Sequence, residues 1–495
     1  MRGRRLHAGT QRLTDAGHPP GGFGVAQVFL SILALLGSVG LFTLGSGLLG
    51  TLLGVRMTLD GFDPQVTGLV MAAFFVGLMV GAMEAGRVIR RAGHIRAFAV
   101  FAACATAAVL LHGLFVSVWV WALLRVITGF AAAGIYMVIE SWLNERSSAA
   151  NRGRVFSVYQ VVSYLGLGTG QFLLFAADPA TTELFMITAG LFALCLIPVA
   201  MTRGLHPSPP ESHGMALRPA LTESPLGVVA CIGAGMVNGA VFALTPVFAL
   251  EAGLGLAGVS LLMGAIIFGG FLLQWPIGHL SDNFGRRGVM AIVNLSVAVA
   301  AVALVFSAEL TLPVLMGVGA LFGGLSFTLY PLAVAHTNDQ IKVRDFVTIS
   351  AALLFLWGLG SAVGPVLAGQ VMGRVGNTGL FLFVAVIALG VALAAWQMRR
   401  ESVAPEDQEP FVVMARTTPV ASELDPRYDE EAAREAAEQQ ARADAETAAA
   451  ELWDEVVVAE AEAEAEADAA TKPTATGDAG PQDGDEDTTP PPRRD

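Results

Sequence analysis

From residue 25 to residue 55 the chain runs for 31 positions without an Asp, Glu, Lys or Arg. A helix needs about 20 apolar residues to cross the hydrocarbon core of a bilayer. The run therefore predicts a tilted membrane-spanning helix, being too long for the apolar core of a signal peptide. Eleven further apolar stretches follow, at about 64–86, 97–117, 119–143, 155–176, 184–202, 225–249, 259–280, 288–307, 311–334, 346–371 and 380–398. Twelve helices are predicted, linked by short polar turns.

The charged residues between these stretches alternate. If the basic arm at residues 1–24 (Arg2, Arg4, Arg5, Arg12) is cytoplasmic, the loops on its side carry almost all the Lys and Arg of the body. Those on the opposite side carry only Arg56 and Arg374. Basic loops stay on the cytoplasmic side. The pattern thus predicts a multi-pass protein of a bacterial cytoplasmic (inner) membrane with both termini inside.

Composition supports this. Hydrophobic residues make up 54% of the 495 residues, charged residues 14%, and mean hydropathy is +0.61, where a soluble protein carries about 25% charge. The net charge of −13 belongs to one end. Residues 1–400 hold 22 basic and 15 acidic residues; residues 401–495 hold 7 and 27. The three cysteines, Cys104, Cys195 and Cys231, lie in apolar runs without metal or redox spacing. No phosphate-cradling Gly-x-x-x-x-Gly-Lys-Ser/Thr marks an ATP-driven pump, and no nucleophile–His–acid set marks an enzyme. No cofactor, metal or nucleic-acid partner is expected.

The two halves of the body resemble each other. Gly86-Arg-Val-Ile-Arg90-Arg91-Ala-Gly93 falls on Gly278-His-Leu-Ser-Asp282-Asn-Phe-Gly285 at an offset of 192. Gly129 and Gly134 fall on Gly319 and Gly324, and Arg154 and Phe156 on Arg344 and Phe346, at 190. Parallel six-helix repeats, here 25–202 and 225–400 joined by a cytoplasmic loop at 203–224, are an architecture of secondary transporters with a midplane site.

Gly278-His-Leu-Ser-Asp-Asn-Phe-Gly-Arg286-Arg287 resembles the loop signature of the major facilitator superfamily, in its place between the eighth and ninth helices. The first-half copy departs from it, with Arg90 at the Asp position. Arg125-Val-Ile-Thr-Gly129 is similar to the superfamily's Arg-x-x-x-Gly pattern in the fourth helix. Glu140-Ser-Trp-Leu-Asn144 followed by Asn151-Arg-Gly-Arg154 resembles the YcaD-type branch of bacterial transporters. The resemblance covers about residues 25–400. It implies an all-α membrane fold of twelve helices in two pseudo-symmetric halves. It also implies transport of a small molecule by alternating access, with protons as coupling ion, in a monomer. The alternatives are a drug or metabolite efflux pump of the same superfamily, or a transporter-like sensor or assembly protein that signals through its acidic tail.

Individual residues sharpen this. Asp282, at a cytoplasmic helix end, suits the free N–H groups at the start of the fifth helix, where Arg152 and Arg154 add positive charge. Such a contact would latch the halves on the inside. Gly278 and Gly285 supply close approach and turning. Arg90 cannot act as that acceptor, so the latch is expected to be lopsided, with Asp345 a candidate partner for Arg90 or Arg91. Arg125 is the one Lys or Arg inside a span. A cation in hydrocarbon is costly unless it faces a cavity or a partner, so it either binds an anion or a proton-bearing carboxylate, or is held by backbone carbonyls or snorkels to the interface. Glu140 lies fifteen residues further on, about 22 Å along the helix. It reads as a gate ion-pair member, a proton carrier or an inert interfacial carboxylate. Candidates for contact with substrate are Tyr136, Gln160, Tyr164, Gln171, Asn238, Gln274, Asn294, Tyr330 and Trp357, each of which is alternatively a helix–helix hydrogen bond or filler. The acidic tail, 401–495, reads as largely disordered with some helix-forming Ala/Glu sequence. Its alternatives are a partner-binding helix or a strap over the basic inner loops.

Overall fold

A computed structural model describes residues 25–147, 151–202, 215–306, 311–341 and 346–398, with 411, 417, 418 and 420. The basic arm, Arg344, Asp345, most of the connecting loop and nearly all of the acidic tail lie outside the described residues. Among the described residues every regular element is a helix. In chain order these are α1 (Val25–Leu59), α2 (Pro64–Ala92), α3 (His94–Leu114), α4 (Val118–Arg146) and α5 (Arg152–Gly170), which continues as a 3-10 turn over Gln171–Ala176. Then come α6 (Glu183–Leu194), α7 (Leu196–Ala200), α8 (Leu217–Glu223), α9 (Pro225–Glu251) and α10 (Gly255–Phe284). The series closes with α11 (Arg286–Val305), α12 (Leu312–Phe327), α13 (Leu329–Asn338), α14 (Phe346–Val375) and α15 (Gly379–Gln397).

Eleven helical stretches among the described residues are long and apolar enough to cross a membrane, against the twelve expected. The exception is α5, whose Arg152, Arg154, Ser157, Gln160 and Ser163 dilute its hydropathy. Two expected helices are broken within their length. Pro198 and Pro331 have no N–H to give to the carbonyl four residues before them, and the breaks fall at Cys195 and Thr328. The stretch before α9, read as loop, holds the short helix α8.

Glycine fixes the turns at one end of the bundle. Gly93 and Gly285 have φ of 80° and 81°, reversing the chain in one residue between α2 and α3 and between α10 and α11. This is the motif end; the opposite end is the far end.

Close glycine approaches also fix the repeat. A Cβ on Gly77 would meet Val126 O at 2.0 Å, and one on Gly269 would meet Ala320 O at 2.0 Å. Gly129 faces Phe74 O as Gly323 faces Ile266 O; Gly170 faces Leu44 O as Gly364 faces Met236 O. Gly47 and Gly239 seat Leu167 O and Ser361 O in the same way. Positions in α1–α2 thus map onto α9–α10 at 192, and those in α4–α5 onto α12 and α14 at 194. The offset of 190 expected for the fourth helix is one turn short. Arg125 corresponds to Gly319, where an offset of 190 would have given Leu315.

Between the halves, the glycine-seated approaches lie mainly at the far end. Gly54 meets Pro246, Gly68 meets Pro365 O, Gly369 meets Pro64 O and Gly264 meets the Phe172 ring. Gly358 against Met79 lies near mid-membrane. At the motif end, residues of the C-terminal segment lie between the halves: Phe411 is on α10, and Thr417 and Thr418 are on α4.

Candidate functional site

Midway along the bundle the two halves enclose a cavity of about 240 Å³. Helix α1 gives it one stripe, Thr43, Ser46, Gly47, Gly50 and Thr51, whose spacing puts them on a single helical face. From α2 come Met71, Phe74, Phe75 and Leu78; from α4, Arg125, Thr128, Ala132 and Tyr136; from α5, Gln160, Ser163, Tyr164 and Leu167. Phe192 closes one side, and the second half contributes Phe242, Ala243, Met263 and Trp357.

Arg125 is the only charged side chain among these lining residues. It is 6% exposed, and its guanidinium carbon stands 4.4 Å from the centroid of the Phe74 ring. That distance is within cation–π range. Its Nε finds no acceptor among the described residues. A buried guanidinium stacked on one face keeps its in-plane N–H groups for a planar acceptor such as a carboxylate. Aromatic rings surround the same space: Tyr136 meets Phe42 edge-on at 5.4 Å, Trp357 meets Phe75 edge-on at 6.2 Å, and Tyr164 lies 5.8 Å from Phe271 across the halves.

Gln171 also borders the cavity, but its amide is committed. Its Oε1 accepts from Thr51, while Nε2 donates to Gly47 O and Leu167 O, each at 3.0 Å. It ties α1 to the end of α5.

Towards the motif end, Glu140 is fully buried on α4. It accepts hydrogen bonds from the hydroxyls of Tyr159 (2.8 Å), Thr417 and Thr418. On the second half, the side chains of Arg286 and Asp339 are 1% and 2% exposed and are bonded through Nε and Oδ2. Asp282 Oδ1 lies 3.3 Å from Arg286, and its Oδ2 accepts the backbone N–H of Phe411 at 3.1 Å. Arg287 donates to Ala395 O at 3.0 Å.

The family model of the Major Facilitator Superfamily matches residues 35–275 and 256–443. The chain belongs to the Major Facilitator Superfamily. An MFS-type transporter, YcaD, of Escherichia coli O17:K52:H18 is 30% identical over 362 residues, 72% of this chain and 93% of that protein. The YcaD of Shigella flexneri is 30% identical over 363 residues, with the same shares. Among solved structures, the nucleoside transporter NupG aligns with a TM-score of 0.63 at 15% identity, covering 74% of this chain and 98% of that one. A bacterial homologue of the human lysosomal transporter Spinster, inward-facing and unoccupied, aligns at 0.59 and 15%, covering 78% and 100%. At these identities the two structures speak for the fold.

Within this superfamily fold, the cavity gathers six of the expected contact residues: Arg125, Tyr136, Gln160, Tyr164, Gln171 and Trp357. Asn238, Gln274, Asn294 and Tyr330 are buried away from its lining. Asn294 is spent on Met290 O, and Tyr330 lies 5.8 Å from Trp357 as second-layer support. The superfamily loop places Asp282 beside Arg286 and Phe411; Arg152 is buried at the start of α5, and Arg90, Arg91 and Arg154 are exposed. Asp345 lies outside the described residues. Sequence reasoning missed Asp339, Tyr159 and the hydroxyl stripe of α1. The stripe's i, i+3, i+4 spacing was the available signal.

Proposed function

We propose that this superfamily member is a monomeric secondary active transporter that carries a small amphipathic organic anion, alternately exposing the central cavity to the two sides of the membrane. The observation that carries this reading is Arg125: a buried guanidinium, the only charge among the described lining residues, with an Nε that finds no acceptor there and an aromatic ring against its face. The apolar and aromatic lining suits the body of such a substrate, and the hydroxyl oxygens of Ser46 and Thr128, whose protons go to Phe42 O and Arg125 O, can accept from its donor groups. Protons are the proposed coupling ion, with Glu140, the buried carboxylate on the motif-end side of the cavity, as their carrier. Protonation would free it from its charge-assisted hydroxyl bonds.

Thermal stabilisation of the purified protein by a panel of organic carboxylates and their neutral methyl esters tests the substrate class. Carboxylates should stabilise wild type more than the matched esters do. Arg125→Leu, which removes the cation, should lose that preference and weaken binding by roughly 10- to 150-fold, the equivalent of one charge-assisted interaction of about 1.5–3 kcal/mol. Arg125→Lys keeps charge without the planar fork and should fall between. Equal stabilisation by acids and esters would sink the anion reading.

The proposed orientation puts the motif end in the cytoplasm. Cysteines placed near 60 or 180 should react with an impermeant maleimide added to intact cells, and cysteines near 90 should not.

A further inference from the structure

We propose that Asn238 is a second recognition site of the central cavity, specific for a group that offers a hydrogen-bond donor and an acceptor side by side. This rests on the anion reading of Arg125 and narrows it: the cargo is an organic carboxylate that also bears a carboxamide, lactam or urea edge.

Asn238 is fully buried on α9, and neither its Nδ2 nor its Oδ1 has a partner among the described residues. Buried polar groups are nearly always paired, and one that is not costs free energy. For the fold alone, a leucine of the same branched shape would serve without that penalty. The amide is thus kept for a ligand, and its two ends define the ligand's chemistry. A cation would engage Oδ1 alone, and a second anion Nδ2 alone. Only a group with donor and acceptor together satisfies both.

The repeat puts this amide at the cavity. Gly47 seated on Leu167 O and Gly239 seated on Ser361 O bring α1 and α9 into register at an offset of 192. Gly50 and Thr51 line the cavity, and so do their counterparts Phe242 and Ala243. Ser46 lines it too, and its counterpart is Asn238. Asn238 therefore holds a lining position without the exposure that goes with it. One difference between the copies accounts for this. Where the first half has Gly50, with open space around it, the second has the Phe242 ring, one turn from Asn238 and stacked 5.3 Å from Phe327. In the proposed site the Phe242 ring turns aside and the amide joins the lining.

The experiment compares para-carbamoylphenylacetate with para-acetylphenylacetate, whose methyl ketone keeps the acceptor and lacks the donors, each alongside its neutral methyl ester. Dissociation constants are measured by calorimetry on the purified full chain. Wild type should bind the carbamoyl acid about tenfold more tightly than the acetyl acid, the equivalent of one or two hydrogen bonds. Asn238→Leu should bind the two acids alike and still prefer each acid to its ester, since Arg125 is untouched. Arg125→Leu should lose the acid preference and keep the amide preference, so that failure of one reading leaves the other standing. Stability gives a further readout that needs no ligand. Empty Asn238→Leu should melt at or above the wild-type temperature, because an unpaired amide gives way to an apolar side chain. Wild type binding both acids alike, or neither, would overturn the proposal, as would an undiminished amide preference in Asn238→Leu. A clear fall in its melting temperature, or failure to fold, would mark the amide as bonded within the fold and overturn it equally.

Discussion

Gly54 and Pro246 occupy equivalent positions in the two halves, and they touch: a Cβ on Gly54 would meet Pro246 Cβ at 3.1 Å and its Cγ at 3.4 Å. The pseudo-twofold axis relating the repeats therefore passes close to this contact, at the far end. Equivalent elements, α1 and α9, meet there through a residue without a side chain and a ring without an N–H.

Gly54→Val should push the far end open. A β-branched side chain overfills this contact, and overpacking costs about 1–3 kcal/mol in the state that contains it. A two-state equilibrium shifted by that much moves roughly 5- to 150-fold. Maleimide labelling of a Gly50→Cys reporter from the outer side of intact cells should rise accordingly. Unchanged labelling in a folded Gly54→Val protein would show that the far end closes without this contact.

Gln171→Leu separates scaffold from substrate site. The side chain borders the cavity, but its amide bonds Thr51, Gly47 and Leu167. Losing these should cost about 1–3 kcal/mol of stability, because buried partners are left unsatisfied. Among molecules that remain folded, the preference for carboxylates over esters should survive. Loss of that preference at unchanged Tm would make Gln171 a substrate ligand.

Asp339→Asn should be more damaging than Asp282→Asn. Asp339 is bonded to Arg286, and both side chains are almost fully buried, whereas the Asp282 side chain is 25% exposed. Removing one partner of a buried pair typically costs about 3–5 kcal/mol. Thermal unfolding in detergent should show a clear drop for Asp339→Asn and a small one for Asp282→Asn. The reverse order would place the main anchor at Asp282.

Eleven of the spans, the glycine turn at 285 and the superfamily loop were legible in the sequence because each rests on a local signal: an uncharged run or a fixed spacing. The cavity was legible only in part. Arg125 stood out because a cation in hydrocarbon must be explained. Thr43 and Ser46 did not, because each returns its hydroxyl to a carbonyl four residues back, Val39 O and Phe42 O, and so travels among apolar neighbours at little cost. Asn238 and Gln274 are polar without lining the cavity, since residue type does not reveal which helix face turns inward. The repeat register slipped by a turn because glycines recur closely along these helices; only the carbonyl each one faces distinguishes one from the next.

The cavity is shared unequally. Arg125, the hydroxyl stripe, Gln160 and both tyrosines come from the first half, while the second gives Phe242, Ala243, Met263 and the Trp357 indole. Where α4 carries Arg125, the duplicated position is Gly319. The two halves thus bring unequal chemistry to the cavity, the first polar as well as apolar and the second apolar and aromatic. If the first half reads the cargo, a few changed positions in α1, α4 and α5 should suffice for a new one, and a hybrid joining two relatives at the connecting loop should follow the diet of whichever parent supplied its first half.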